Sequence, residues 1–124
     1  MPAQATIGLF SITELPKARV ATFEGQVDES NLEYMKSMID PLVADDAVTY
    51  VILDFAKLTF INSKVIGYLA SLYSRLAEKG KKLVFAQATE AITDIITLVG
   101  LTKIIPSCPS LQEAVDVVRS DAEQ

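Results

Sequence analysis

Ser63 is the residue whose setting points most directly to chemistry. It stands in the run Asn62-Ser63-Lys64-Val65, where a strongly apolar segment gives way to a helical pattern. A serine at that junction sits where a helix N-cap belongs and accepts a hydrogen bond from the first turn, worth about 1 kcal/mol. The free N–H groups and the dipole of a helix start also favour an anion. An anion could therefore be held there without unfolding the domain. Lys64 could pair with that anion or serve as a fixed positive contact. Asp28 and Asn31 fall at another strand-to-helix junction and read either as helix-start residues or as neighbours of Ser63 on one rim. Asp54 reads as a turn-stabilising carboxylate and Thr59 as a loop hydroxyl.

Other chemistries are poorly provided for. The chain has no histidine, the commonest general base and metal ligand. Cys108 is the single cysteine, which rules out an internal disulfide and a thiolate zinc site. No acidic run has the spacing of a calcium loop. We expect no enzyme activity, no cofactor and no metal. The net charge of −5 opposes binding to phosphate backbones and anionic lipid surfaces, so neither nucleic acid nor membrane is an expected partner. The first residues lack a basic stretch followed by a long apolar run, and no segment approaches the ~20 apolar residues that span a bilayer. These features predict a soluble, cytoplasmic protein.

The elements that must position Ser63 follow from periodicity. Ile7 to Ile12 and Ala18 to Glu24 predict a hairpin about Leu15-Pro16-Lys17, with Gly25 to Asp28 leaving the sheet. Ser30-Asn-Leu-Glu33 has capping-box spacing and opens a helix with Leu32, Met35, Ile39 and Leu42 inward. Pro41 predicts a break or kink near Asp40. Val48 to Phe55 reads as a strand covered on both faces. A helix from about Lys64 to Glu78 follows, in which Gly67 suggests close approach to the sheet. Lys82 to Ala88 is the next strand, and Thr89 caps a helix ending at Gly100. Ile104-Ile105 is the expected last strand, Pro106 to Pro109 a turn, and Ser110-Leu-Gln-Glu113 the cap of a final helix with Leu111, Ala114, Val117 and Val118 inward. Lys79, Lys81 and Lys82 read as a solvated helix end and loop.

The order β-β-α-β-α-β-α-β-α and four signatures together resemble the STAS domain, of the anti-sigma-factor antagonist type. The signatures are Gly25 to Asp28, Val51 to Ser63, Gly67 with its leucine-rich helix, and Val99 to Ile105 followed by Ser110 to Ala114. The match covers roughly residues 7 to 120, so 1–124 is expected to form one domain. It implies an α/β fold: a mixed, mostly parallel sheet of 4–5 strands with about four α-helices packed mainly on one face. It also implies a partner-switching role. Such an antagonist binds an anti-sigma factor that is also a serine kinase, is released when Ser63 is phosphorylated, and is reset by a phosphatase. Asp28, Asn31, Asn62, Ser63 and Lys64 are then the expected partner-binding residues, on a monomer or weak dimer. Where the family usually has Asp-Ser-Ser/Thr-Gly, this chain has Asn62-Ser63-Lys64-Val65. Those departures keep two alternatives open: a STAS module that is not phosphorylated and serves in a larger signalling complex, and a nucleotide- or anion-sensing domain.

Overall fold

A computed structural model describes residues 10 to 122. Among these residues five strands and four α-helices follow one another: β1 (Phe10–Leu15), β2 (Ala18–Val27), α1 (Leu32–Ala44), β3 (Tyr50–Ile61), α2 (Ser63–Glu78), β4 (Lys82–Ala86), α3 (Glu90–Leu98), β5 (Ser107–Cys108) and α4 (Leu111–Ala122). The strands lie in sequence order across one sheet, antiparallel between β1 and β2 and parallel thereafter.

Side-chain alternation divides the core in two. Val51, Leu53, Phe55 and Leu58 of β3 join Phe23, Leu83 and Phe85 in a cluster covered by α1, α2 and α3. Tyr50 and Ile52, pointing the other way, join Ala18, Val20, Val84 and Ala86 under Ala114 and Val118 of α4. Three helices thus share one face and α4 alone covers the other, which is why Tyr50 to Phe55 is buried without a break. Leu69, Leu72 and Leu76 of α2 are each 0 % exposed, and burying a leucine contributes about 2 kcal/mol.

Several boundaries depart from the sequence reading for identifiable reasons. Ile7 to Leu9 lie outside the described residues, and β1 runs on to Leu15. The turn is Pro16-Lys17, with Lys17 at φ 64. The Lys17 carbonyl then accepts from the N–H groups of Thr49 (2.8 Å) and Tyr50 (3.1 Å), tying the hairpin to the start of β3. β2 does not leave the sheet at Gly25. It continues to Val27 through register shifts, with Gly25 at φ 82. β3 likewise runs beyond Phe55 to Ile61, which places Asp54 inside the strand. α1 continues past Pro41 to Ala44. The carbonyl deprived of its donor belongs to Ser37, an exposed residue, so water can satisfy it.

The last strand is Ser107–Cys108, not Ile104-Ile105. Leu101–Lys103 forms a 3-10 turn after the left-handed Gly100 at φ 84, and Ile105 is buried as a core residue. Pro106 has no N–H, but its carbonyl accepts from Phe85 N (2.9 Å) and starts the short edge ladder. β4 ends at Ala86 because Gln87 turns to φ 60. Val117 is 39 % exposed and is not an inward residue of α4.

Gly67 has a different place from the expected one. It is exposed, and a Cβ there would meet nothing within 4 Å. Close packing on the sheet does not require it. Gly67→Ala should therefore stabilise the domain by about 0.5–1 kcal/mol, read as a higher urea midpoint at unchanged slope.

Candidate functional site

The register of the two longest strands builds the site. Val27 of β2 pairs with Ile61 of β3, so the residues that follow, Asp28 and Asn62, leave the sheet side by side. The segment 28–31 and the segment 62–64 consequently form one rim, closed by a hydrogen bond from Asn62 Nδ2 to Glu29 Oε1.

Asn62, not Ser63, caps α2. Its backbone is extended and its Oδ1 accepts from Val65 N at 3.1 Å. Ser63 is the first helical residue, and it is exposed with Lys64 beside it. The reversal has a chemical consequence: with the cap supplied by the neighbouring amide, helix stability does not occupy the Ser63 hydroxyl.

The opposite side of the rim is built by side chains that bond to their own loop. The expected Ser30 to Glu33 capping box does not form. Ser30 instead donates its N–H (2.9 Å) and its hydroxyl (2.6 Å) to Asp28 Oδ1, while Gln26 Nε2 donates to Asp28 Oδ2 at 3.2 Å. Asn31 stands at the N-cap of α1 without capping it. Its Oδ1 accepts from Asp28 N (2.9 Å) and its Nδ2 donates to the Gln26 carbonyl (2.9 Å). At 6 % exposure Asn31 shapes the loop from below. The hydrogen bonds from the Ser30 side chain and backbone hold the Asp28 carboxyl below its usual range, outweighing the opposing desolvation.

Between α1 and α2 the rim opens into a groove of about 480 Å3, with Glu29, Glu33, Lys36 and Lys64 around Leu32 and Tyr68. Its wall is held by a network that sequence reasoning missed. Tyr68 Oη donates to Asp40 Oδ1 at 2.5 Å, and Arg75 Nη2 reaches the same oxygen at 3.1 Å. Burial first, and the Asp40 carboxylate second, push the Tyr68 phenol above its ordinary value. The i, i+7 spacing of Tyr68 and Arg75 on α2 was visible in the sequence, but nothing there tied them to Asp40 on another helix.

The remaining candidates lie away from the rim. Asp54 is 6 % exposed and accepts from Gln87 Nε2 (2.8 Å) and Ala56 N (3.1 Å), which steadies the left-handed Gln87. Thr59 is an exposed residue of β3. Burial and then the nearby Glu113 push the Cys108 thiol up, leaving it a poor nucleophile. Lys81 is not merely solvated: its ammonium donates to the carbonyls of Val43 (2.7 Å), Asp45 (2.8 Å) and Leu42 (3.3 Å) at the end of α1.

A five-stranded sheet in this order, with three helices on one face and one on the other, has the STAS fold. The STAS-domain family model matches residues 10–114, and the chain belongs to that family. Among solved structures, an anti-sigma factor antagonist from Mycobacterium paratuberculosis superposes with a TM-score of 0.80 at 23% identity, over 90% of this chain and 93% of that one. The unphosphorylated anti-sigma factor antagonist SpoIIAA gives 0.79 at 20% identity, over 90% and 97%. The phosphorylated form of the Bacillus cell fate determinant SpoIIAA gives 0.73 at 20% identity, over 89% and 99%. Among the described residues no helix is long and apolar enough to cross a membrane.

Two outcomes test the rim. Asn62→Ala should cost about 1 kcal/mol in urea unfolding, whereas Ser63→Ala should leave stability within about 0.5 kcal/mol. The opposite ranking would restore Ser63 as the cap. A depressed folded-state pKa means that the contribution of Asp28 is present above the unfolded pKa and fades as pH falls through the folded one. Ser30→Ala should move the Asp28 titration, followed by carboxyl 13C shifts, upward toward the ordinary aspartate value.

Proposed function

We propose that this chain is a cytoplasmic, non-enzymatic antagonist that binds a kinase-type anti-sigma factor and is released when Ser63 is phosphorylated and restored by a phosphatase. The observation that carries this reading is the Ser63 side chain, exposed at the first turn of α2 and freed from capping by Asn62. Family membership supports the general role, and the rim supplies a surface for it. Asp28, Asn62, Ser63 and Lys64 stand along that rim, with Asn31 holding it from beneath.

The physics of the switch follows from the position. A phosphate on Ser63 would meet the unpaired N–H groups of the first turn, so the domain itself accommodates the charge. The cost falls on a docked partner, which must desolvate a dianion. Lys64, which has no ion-pair partner among the described residues, offsets part of that charge. Glu29, bonded to the neighbouring Asn62, opposes it.

The test uses the kinase-type anti-sigma factor encoded nearest to this chain, with ATP and mass spectrometry. Phosphate should appear on Ser63 and be absent from Ser63→Ala. In pull-downs with that kinase, Ser63→Asp should bind at least about tenfold more weakly than wild type, equal to about 1.4 kcal/mol. Absence of phosphate on Ser63, under conditions that modify a known antagonist of that kinase, would falsify the switch. The reading would then move to an unmodified STAS subunit, for which Ser63→Ala and wild type bind alike.

A further inference from the structure

The end of the sheet remote from Ser63 carries a second concavity, independent of the antagonist reading. A groove of about 450 Å3 follows the outer edge of β4, walled by Leu83, Val84, Tyr73, Ile104, Pro106 and Val117. Ile104 and Val117 are large apolar residues left 48 % and 39 % exposed. β5 begins only at Ser107, so among the described residues no strand flanks Leu83 on the side away from β3. Extending the register sets the Leu83 carbonyl opposite Pro106, which has no N–H to offer.

Two residues with polar side chains, Tyr50 and Lys82, line this groove. Tyr50 is 5 % exposed, and its hydroxyl is buried without a hydrogen-bond partner among the described residues. Buried hydroxyls are ordinarily paired, so an orphan marks a missing partner. Tyr50 is also the direct register partner of Lys82 across β3 and β4, so phenol and ammonium leave the sheet on the same face as neighbours. Lys82 is exposed and meets no carboxylate among the described residues, in a chain whose net charge is −5.

We propose that this groove binds a small amphipathic carboxylate, with its head taken by Lys82 and the Tyr50 hydroxyl and its aliphatic tail laid over Val84, Ile104 and Val117. A carboxylate is the head group that accepts from an ammonium and a phenol together. An aliphatic tail covers the apolar surface that the fold leaves wet at Ile104 and Val117. An amine would meet Lys82 as a like charge, and an alcohol would forgo the charge-assisted bond.

Titration of the 15N-labelled full chain with sodium octanoate, octanol and octylamine, followed by amide shifts, tests this. Octanoate should give saturable shifts centred on residues 82–84, 104 and 117, at least about tenfold tighter than either control. Lys82→Gln should weaken octanoate at least about tenfold. Tyr50→Phe should also weaken it while raising the melting temperature of the free protein, because it removes the unpaired hydroxyl. Octanol binding as tightly as octanoate, unchanged binding by Lys82→Gln, or shifts that scatter over the surface without saturating would each overturn the proposal.

Discussion

The structure depends on a mismatch in strand length at the centre of the sheet. β3 is buried on both faces where it pairs with β4, and that pairing ends at Asp54 and Ala86. β3 nevertheless runs on to Ile61, supported by β2 alone through its bulges. The extension carries Asn62 and Ser63 well past the last β3–β4 pair. It also makes the end of β2 coincide with the end of β3, which is the reason Asp28 and Asn62 emerge together. Had β3 stopped where its apolar run first weakens, the serine would have opened a helix elsewhere on the molecule.

Charge at the rim is arranged differently from charge in the groove below it. At the rim, Asp28 is satisfied by Ser30 and Gln26 within its own loop, and Asn62 bridges to Glu29. In the groove, Asp40 collects a phenol and a guanidinium from α2. The first set fixes a loop and the second fixes two helices against each other. Lys64 belongs to neither set, and its ammonium remains available to whatever arrives at Ser63.

Much of the architecture was legible because periodic patterns are local. The buried run in β3, the leucine stripe of α2, the Thr89 cap and the left-handed Gly100 each follow from a few adjacent residues. Misreadings arose where a distant partner decides the outcome. Nothing in Gly25 to Val27 announces that β3 will extend alongside, so β2 reads as finished. Ser63 and Asn62 are both good caps, and only the fold selects between them. Two prolines around Ser107-Cys108 suggest a turn, yet a carbonyl needs no N–H to start an edge ladder. Of the rim, Asp28 and Ser63 could be named from their place at strand-to-helix junctions, and Asn62 and Lys64 from the resemblance of their loop to that of the family. Glu29 could not, because its role exists only across the gap between two loops.

The Lys81 ammonium, set among the last carbonyls of α1, has a mechanical meaning. α1 ends without a basic residue in its final turn, and a lysine from the turn just before β4 fills that role. The feet of α1 and α2 are thereby pinned to one point on the sheet. Midway along, Asp40 with Tyr68 and Arg75 adds a second fastening. At the Ser63 end the bond from Asn62 to Glu29 ties only the loops ahead of the helices, so the pair is braced most firmly at the end far from Ser63.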